Sequence, residues 1–205
     1  MKREIMVIAA VMAVAVVLLI GLALTGCDDM LIDLEGYTPT LYIDDIPIYT
    51  GMTAPEVCVL TAVIDAYHDR YGIGTNGVKG LWLVRDYDQA VPCMDGPNGT
   101  ACQWSEVNAV FGYPDKGVRG MGGVAYNYQY VFVSRYEGHE PFLALNLMHE
   151  FGHAILKMRH DTPAERAAWC LWENDMWFDW TLDRVRTCGV PPMQGTHWYL
   201  CPWCN

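Results

Sequence analysis

Two histidines four residues apart, the first followed directly by a glutamate, constrain this chain more than any other feature. His149-Glu150-Phe151-Gly152-His153 is preceded by the helix formers Phe142, Leu143, Ala144, Leu145, Leu147 and Met148. On a helix, residues four apart lie one above the other. The nitrogens of His149 and His153 can therefore reach one tetrahedral zinc ion, with the Glu150 carboxylate beside it as a base. The pattern predicts a helix over about residues 141–159. A second helix follows almost at once: Thr162 is its N-cap, Pro163 its first residue and Glu165 the acid of a capping box. His160-Asp161 forms the break, because residues just before a proline are pushed out of helical geometry. The second helix runs past Trp169, Glu173, Trp177 and Trp180 towards Arg186, and Gly189-Val190-Pro191-Pro192 stops it. The two make an αα-hairpin with a very short turn.

A catalytic zinc site has three protein ligands and one open position, so a third ligand is needed, and His160, Glu165 and Glu173 compete for it. In an antiparallel hairpin centred near 161–162, positions equidistant from the turn lie side by side. The midpoint of the two histidines, 151, mirrors to about 172, beside Glu173. Glu165 mirrors to about 158, roughly 10 Å away at 1.5 Å per residue, and already serves the capping box. If the first helix simply continues, His160 is on the correct face but about 10 Å along the axis. Trp169, Met176, Trp177 and Trp180 share a face with Glu173, and an isolated carboxylate among them is costly to bury unless a cation compensates it. These arguments predict His149, His153 and Glu173 as the ligands.

His-Glu-x-x-His completed by a glutamate twenty residues after the second histidine resembles the gluzincins, the thermolysin-like zinc peptidases, over residues 148–173. The resemblance implies a zincin-like domain and endopeptide hydrolysis, with Glu150 moving a proton from the attacking water to the leaving amine. His139, His197 and Tyr199 are candidates to hold the oxyanion. The chain departs from that family at Trp177, where an aspartate usually orients a ligand histidine, leaving no identified partner for His149. Met158-Arg159-His160-Asp161 also resembles the metzincins, which would make His160 the third ligand and Met193 a Met-turn. Two departures stand against that reading. The glycine that turns the metzincin chain is Leu156 here, and the third histidine comes one residue late. A third reading is a zinc-binding envelope lipoprotein without catalysis; Glu150 argues against it, since a purely structural site needs no base.

Lys2 and Arg3 precede a nearly unbroken apolar run over residues 5–24, which ends in Leu24-Thr25-Gly26-Cys27. That ending resembles the lipobox of bacterial lipoproteins. It implies a signal peptide over residues 1–26, lipidation of Cys27, a tether over 27–39, and a domain over 40–205 held at a membrane outside the cytoplasm. The net charge of −11, without Lys/Arg clusters, excludes nucleic acid as a partner and leaves peptide or protein substrates. Seven cysteines follow Cys27: Cys58, Cys93, Cys102, Cys170, Cys188, Cys201 and Cys204. In an oxidising compartment they imply disulfides. Cys93 and Cys102 bracket a Gly/Pro/Asn loop and should pair. Cys201 and Cys204 have redox-motif spacing but no helix after them.

The fold class expected is α+β: a single domain with a small twisted sheet, the metal helix and an antiparallel helix after it. Residues 40–49 alternate as a short strand that Pro47 confines to an edge. Thr53, Pro55 and Glu56 start a helix that Gly72 ends. Residues 80–85 read as a strand. Residues 86–123 read as a long loop with a short helix near 104–111. A further strand opens at residue 122 and continues through Tyr130 to Val133. By analogy with zinc peptidases, residues 123–128, among them Gly123, Val124, Ala125 and Tyr126, should form an edge that pairs with extended substrate.

Overall fold

Alternation in two short strands decides where the core lies. Leu81, Leu83, Val131 and Val133 face one side of the sheet, and Trp82, Val84, Tyr130 and Phe132 face the other; all eight are buried. Both sides must therefore be covered, as parallel strands require. In the computed structural model, which describes residues 36–93, 101–110 and 122–192 with Ile32, Leu34 and Cys204, these strands are β3 (Gly80–Val84) and β7 (Tyr130–Ser134). They pair in parallel from Gly80↔Tyr130 to Val84↔Ser134. The sheet runs β1-β2-β3-β7-β6, with β1 (Leu41–Ile43), β2 (Ile46–Ile48) and β6 (Gly123–Tyr126). A second ladder joins β4 (Ala90–Pro92) to β5 (Ala101–Gln103), ahead of α2 (Trp104–Val110). The described domain is α+β, as expected.

Helix α1 (Ala54–Tyr71) begins and ends where its sequence signals place it. The Thr53 N–H donates to the Glu56 carboxylate at 2.7 Å, and Gly72 closes the helix in the left-handed region at φ 64°. Helix α1 and α3 (Leu143–Ala154) cover one face of the sheet with the C-terminal helical stretch. That stretch comprises α4 (Pro163–Asp175), a π-helical widening (Met176–Thr181), α5 (Leu182–Val185) and a 3-10 turn (Arg186–Cys188). Gly189 terminates it at φ 74°. On the opposite face Trp82 stacks between Tyr49 (4.3 Å, 3°) and Phe132 (4.7 Å, 13°), with Trp104 behind. Ile32 is buried in this second core and Leu34 packs on it, although both lie in the stretch expected as a tether.

Three expectations are corrected. Residues 40–49 form a hairpin, β1 to β2, turning at Asp44 (φ 48°) and Asp45 (φ 64°). Pro47 thus lies in an inner strand; β2 meets β3 through Ile48↔Leu81, so the missing Pro N–H removes no bond of that ladder. Residues 122–134 form two antiparallel strands, joined by the turn 127–129 with Asn127 (φ 53°) and Tyr128 (φ 55°) both in the positive-φ region that suits hairpin twist. Finally, the long loop contains the β4–β5 hairpin.

Cys93 pairs with Cys102 as expected; Cys58 also pairs with Cys188, and Cys170 with Cys204. The Cys58–Cys188 bridge closes 130 residues, a loop length for which denatured-state entropy predicts roughly 4–5 kcal/mol of stabilisation. Cys204 is thereby tied to α4, so the redox-spaced pair at the C-terminus is split by a structural bridge.

Glu56 is a buried, multiply paired carboxylate, at 1% exposure. Arg85 grips it with both terminal nitrogens (2.8 and 2.9 Å), and Arg135 Nε lies 3.3 Å away. Burial alone would raise its pKa, but Arg85 and the Thr53 hydrogen bonds outweigh it and hold the group down at about 2, against an ordinary 4.5. A depressed folded pKa means that this stabilisation is present above 4.5 and drains away as pH falls towards 2. The melting temperature of the wild type should therefore drop across that window more steeply than that of Glu56→Gln. Parallel acid limbs in the two melting series would show that Glu56 does not carry the effect.

Candidate metal centre

His149 and His153 project from α3, which packs against β6 and β7. The helix stops at Ala154, five residues before the expected end, and the cause lies just beyond it. Lys157 takes the left-handed conformation at φ 56°. Its N–H donates back to the His153 carbonyl (3.1 Å), and the Met158 N–H donates to that of Gly152 (3.2 Å). This is a left-handed helix cap without the usual glycine. The strain of a lysine there, of order 1 kcal/mol, is offset by its ammonium, which donates to the carbonyls of Ala154 and Tyr128, both at 2.7 Å.

The reversal brings His160 back to the helix it has just left. One ligand nitrogen each from His149, His153 and His160 lie within 4.8 Å of one another. The ring centroids are 5.1, 5.6 and 4.8 Å apart for the pairs 149–153, 149–160 and 153–160. The premise that placed His160 out of reach, a helix continuing past 154, does not hold.

Glu173 is also where the mirror argument put it, beside the two histidines, and its carboxylate meets His149. Its Oε1 lies 2.8 Å from Nδ1 of His149, at 1% exposure. It gives His149 the hydrogen-bond partner that the sequence left unidentified, and it lies outside the group of three histidine nitrogens. His153 Nδ1 lies 2.8 Å from the Met158 carbonyl. A carbonyl only accepts, so this nitrogen carries the proton and Nε2 keeps the lone pair. The Glu173 carboxylate selects the same arrangement in His149. Imidazoles fixed in this way by carboxylate or carbonyl partners have the form of metal ligands. With His160, three ligand nitrogens lie close enough together for one divalent metal ion, so the group can hold one.

Electrostatics follow the same geometry. Burial pulls His149 down, but the Glu173 hydrogen bond and the nearby carboxylates raise it overall. Burial, together with neighbouring His149, pushes His153 down to about 3, and burial likewise lowers His160. Glu150, 5% exposed, is pushed up to about 7 by burial, against the pull of His149 and of a hydrogen bond from the backbone N–H of Ala125. Strand β6 presses directly on it. A Cβ on Gly123 would stand 2.7 Å from Glu150 Cγ, so only glycine admits this approach.

Strand β6 is the outer strand of the sheet on this side, as expected for Gly123, Val124, Ala125 and Tyr126. Glu165 serves the capping box alone, accepting from the Thr162 N–H at 2.8 Å. His139 packs against Tyr136 and Phe142, not against the triad. Sequence reasoning placed Trp169 only on the face of Glu173 and missed that its ring packs on all three imidazoles; Tyr128, the last residue of the expected substrate edge, has its ring 6.4 Å from that of His153. Tyr128 stands in the positive-φ turn after β6 (φ 55°) rather than in the strand itself. The signal peptide over 1–26, Cys27, Met193, His197, Tyr199 and Cys201 lie outside the described residues. No family model matches the chain, and neither a curated protein nor a solved structure does.

Proposed function

We propose that this chain is a zinc-dependent endopeptidase, held at a membrane outside the cytoplasm through a lipid on Cys27. The observation that carries the reading is the convergence of His149, His153 and His160 with a buried glutamate next to the first of them. The ligand set favours the metzincin-like arrangement over the thermolysin-like one, since His160 joins the triad and Glu173 stands behind His149. Three neutral imidazoles are a donor set well suited to zinc. A zinc ion held there would polarise a scissile carbonyl and lower the pKa of a bound water to about 7.

The chain's own residues do the rest. Glu150 accepts the proton of the attacking water at its carboxylate and delivers it to the leaving amine. Ala125 holds that carboxylate through its backbone N–H, so the strand offered to an extended peptide also sets the position of the base. Glu173 and the Met158 carbonyl keep the imidazoles of His149 and His153 turned inwards. Pairing of a substrate strand with the outer edge of β6 would give affinity through main-chain hydrogen bonds. The three disulfides among the described residues support an oxidising compartment.

The test uses the purified full-length chain. Elemental analysis should return one zinc per chain, and a mixed peptide substrate should be cleaved internally. Chelation should stop cleavage, and added zinc should restore it. Stoichiometric zinc without turnover would leave a zinc-binding envelope protein, and cleavage that survives complete removal of metal would sink the reading.

A further inference from the structure

One side chain touches every imidazole of the triad. Trp169 is completely buried, and its ring centroid lies 4.6 Å from that of His149, 4.4 Å from His153 and 4.9 Å from His160. The ring is nearly parallel to His153 (29°), oblique to His149 (55°) and perpendicular to His160 (88°). Three imidazoles from two separate segments, a helix and the loop after it, thus pack around a single indole supplied by a third, α4.

That surface is itself held from several directions. The Thr162–Glu165 capping box fixes where α4 begins and hence where its seventh residue, Trp169, falls. Gly152, between the two histidines, has no side chain to keep the indoles away. A Cβ there would come within 2.5 Å of Trp172 Cη2 and 3.1 Å of Trp169 Cη2. Trp172 packs on Trp169 at 4.9 Å and donates its N–H to the Tyr71 hydroxyl of α1 at 2.9 Å. The support for the imidazoles therefore runs through two indoles to a neighbouring helix. Glu173, one turn along α4 from Trp169, grips His149 from the same helix.

We propose that Trp169 is the positioning residue of the metal centre: its indole is the floor that holds His149, His153 and His160 at the mutual angles a single ion requires. The hydrogen bonds to His149 and His153 fix which nitrogen faces inwards; the floor fixes how the three rings tilt. This rests on the metal reading above. Because interiors are close-packed, a smaller, non-planar side chain leaves space in which the rings can rock.

The experiment compares the wild-type full chain with Trp169→Phe, Trp169→Leu and, on the far side of the sheet, Trp104→Leu. Readouts are zinc affinity by chelator competition, the visible spectrum of the cobalt-substituted protein, and the melting temperature of the metal-free protein. Trp169→Phe should keep affinity within a few-fold, as a planar ring remains. Trp169→Leu should weaken it by about 10–100-fold, the usual range for groups that orient ligands, and change the cobalt spectrum. Trp104→Leu should lower the metal-free melting temperature without changing either metal readout. Wild-type affinity and spectrum in Trp169→Leu would overturn the proposal while leaving the metal centre intact. So would equal losses of affinity in Trp169→Leu and Trp104→Leu, which would make Trp169 an ordinary core residue. A wild-type chain that binds no ion would overturn both this proposal and the function it rests on.

Discussion

Replacing Glu150 by glutamine should leave the zinc in place and lower kcat by about 10²–10⁴, the range expected when a positioned proton acceptor is lost. The substitution suits this site because the space around the side chain is fully used. Gly123 already lies so close that even one added carbon on it would collide with Glu150 Cγ. Glutamine has the same shape, and its carbonyl oxygen can still accept from the Ala125 N–H. It cannot take a proton from water. His149, His153 and His160 are untouched, so zinc content by elemental analysis should match the wild type while peptide cleavage falls. A glutamine variant that cleaves at the wild-type rate would remove Glu150 from the chemistry. One that loses zinc as well would show that Glu150 helps to hold the ion.

Much of this site is legible in the sequence because its signals are local. The capping boxes at Thr53–Glu56 and Thr162–Glu165 place two helix starts correctly, since each rests on contacts three residues apart. The mirror argument across the hairpin also succeeds as geometry: it predicts that Glu173 lies opposite the two histidines, and its carboxylate reaches His149 at 2.8 Å. What it leaves open is a single atom. Arithmetic at 1.5 Å per residue brings a side chain to a neighbourhood, but it cannot decide between the ion position and the nitrogen behind it.

The larger omission has a specific cause. A glycine three residues after His153 would have announced the reversal that delivers a third histidine; Leu156 stands there, and the helix is read as continuing. The turn occurs one residue later, at Lys157, and His160 follows it by three. The two departures from the metzincin pattern, a missing glycine and a late histidine, are thus one shift of one residue. A lysine is not a sequence signal for positive φ. What makes it possible here is the pair of hydrogen bonds from its ammonium to Ala154 and to Tyr128, the latter 29 residues earlier in a positive-φ turn between strands. Strand pairing fails for a similar reason: Asp44-Asp45 and Asn127-Tyr128 turn at positive φ without glycine, so two hairpins read as single strands.

The choice between His160 and Glu173 as the third ligand predicts two losses of very different size. His160→Ala removes one of three nitrogens and opens the loop side of the centre, so stoichiometric zinc should be lost from the purified protein and activity with it. Glu173→Gln keeps the packing of a residue 1% exposed and an oxygen able to accept from His149 Nδ1, but removes the charge that favours the inward-facing lone pair. Zinc should remain at saturating concentration with affinity weakened by about 10–100-fold, as for other partners of ligand histidines. Chelator competition separates the two cases, because one variant has no measurable site and the other has a weaker one. The opposite ranking, with zinc retained in His160→Ala and abolished in Glu173→Gln, would return Glu173 to the ion and make the thermolysin-like ligand set correct. The geometry weighs against that outcome: to reach the ion, Glu173 must release His149, and a buried imidazole N–H without an acceptor costs about 1–3 kcal/mol.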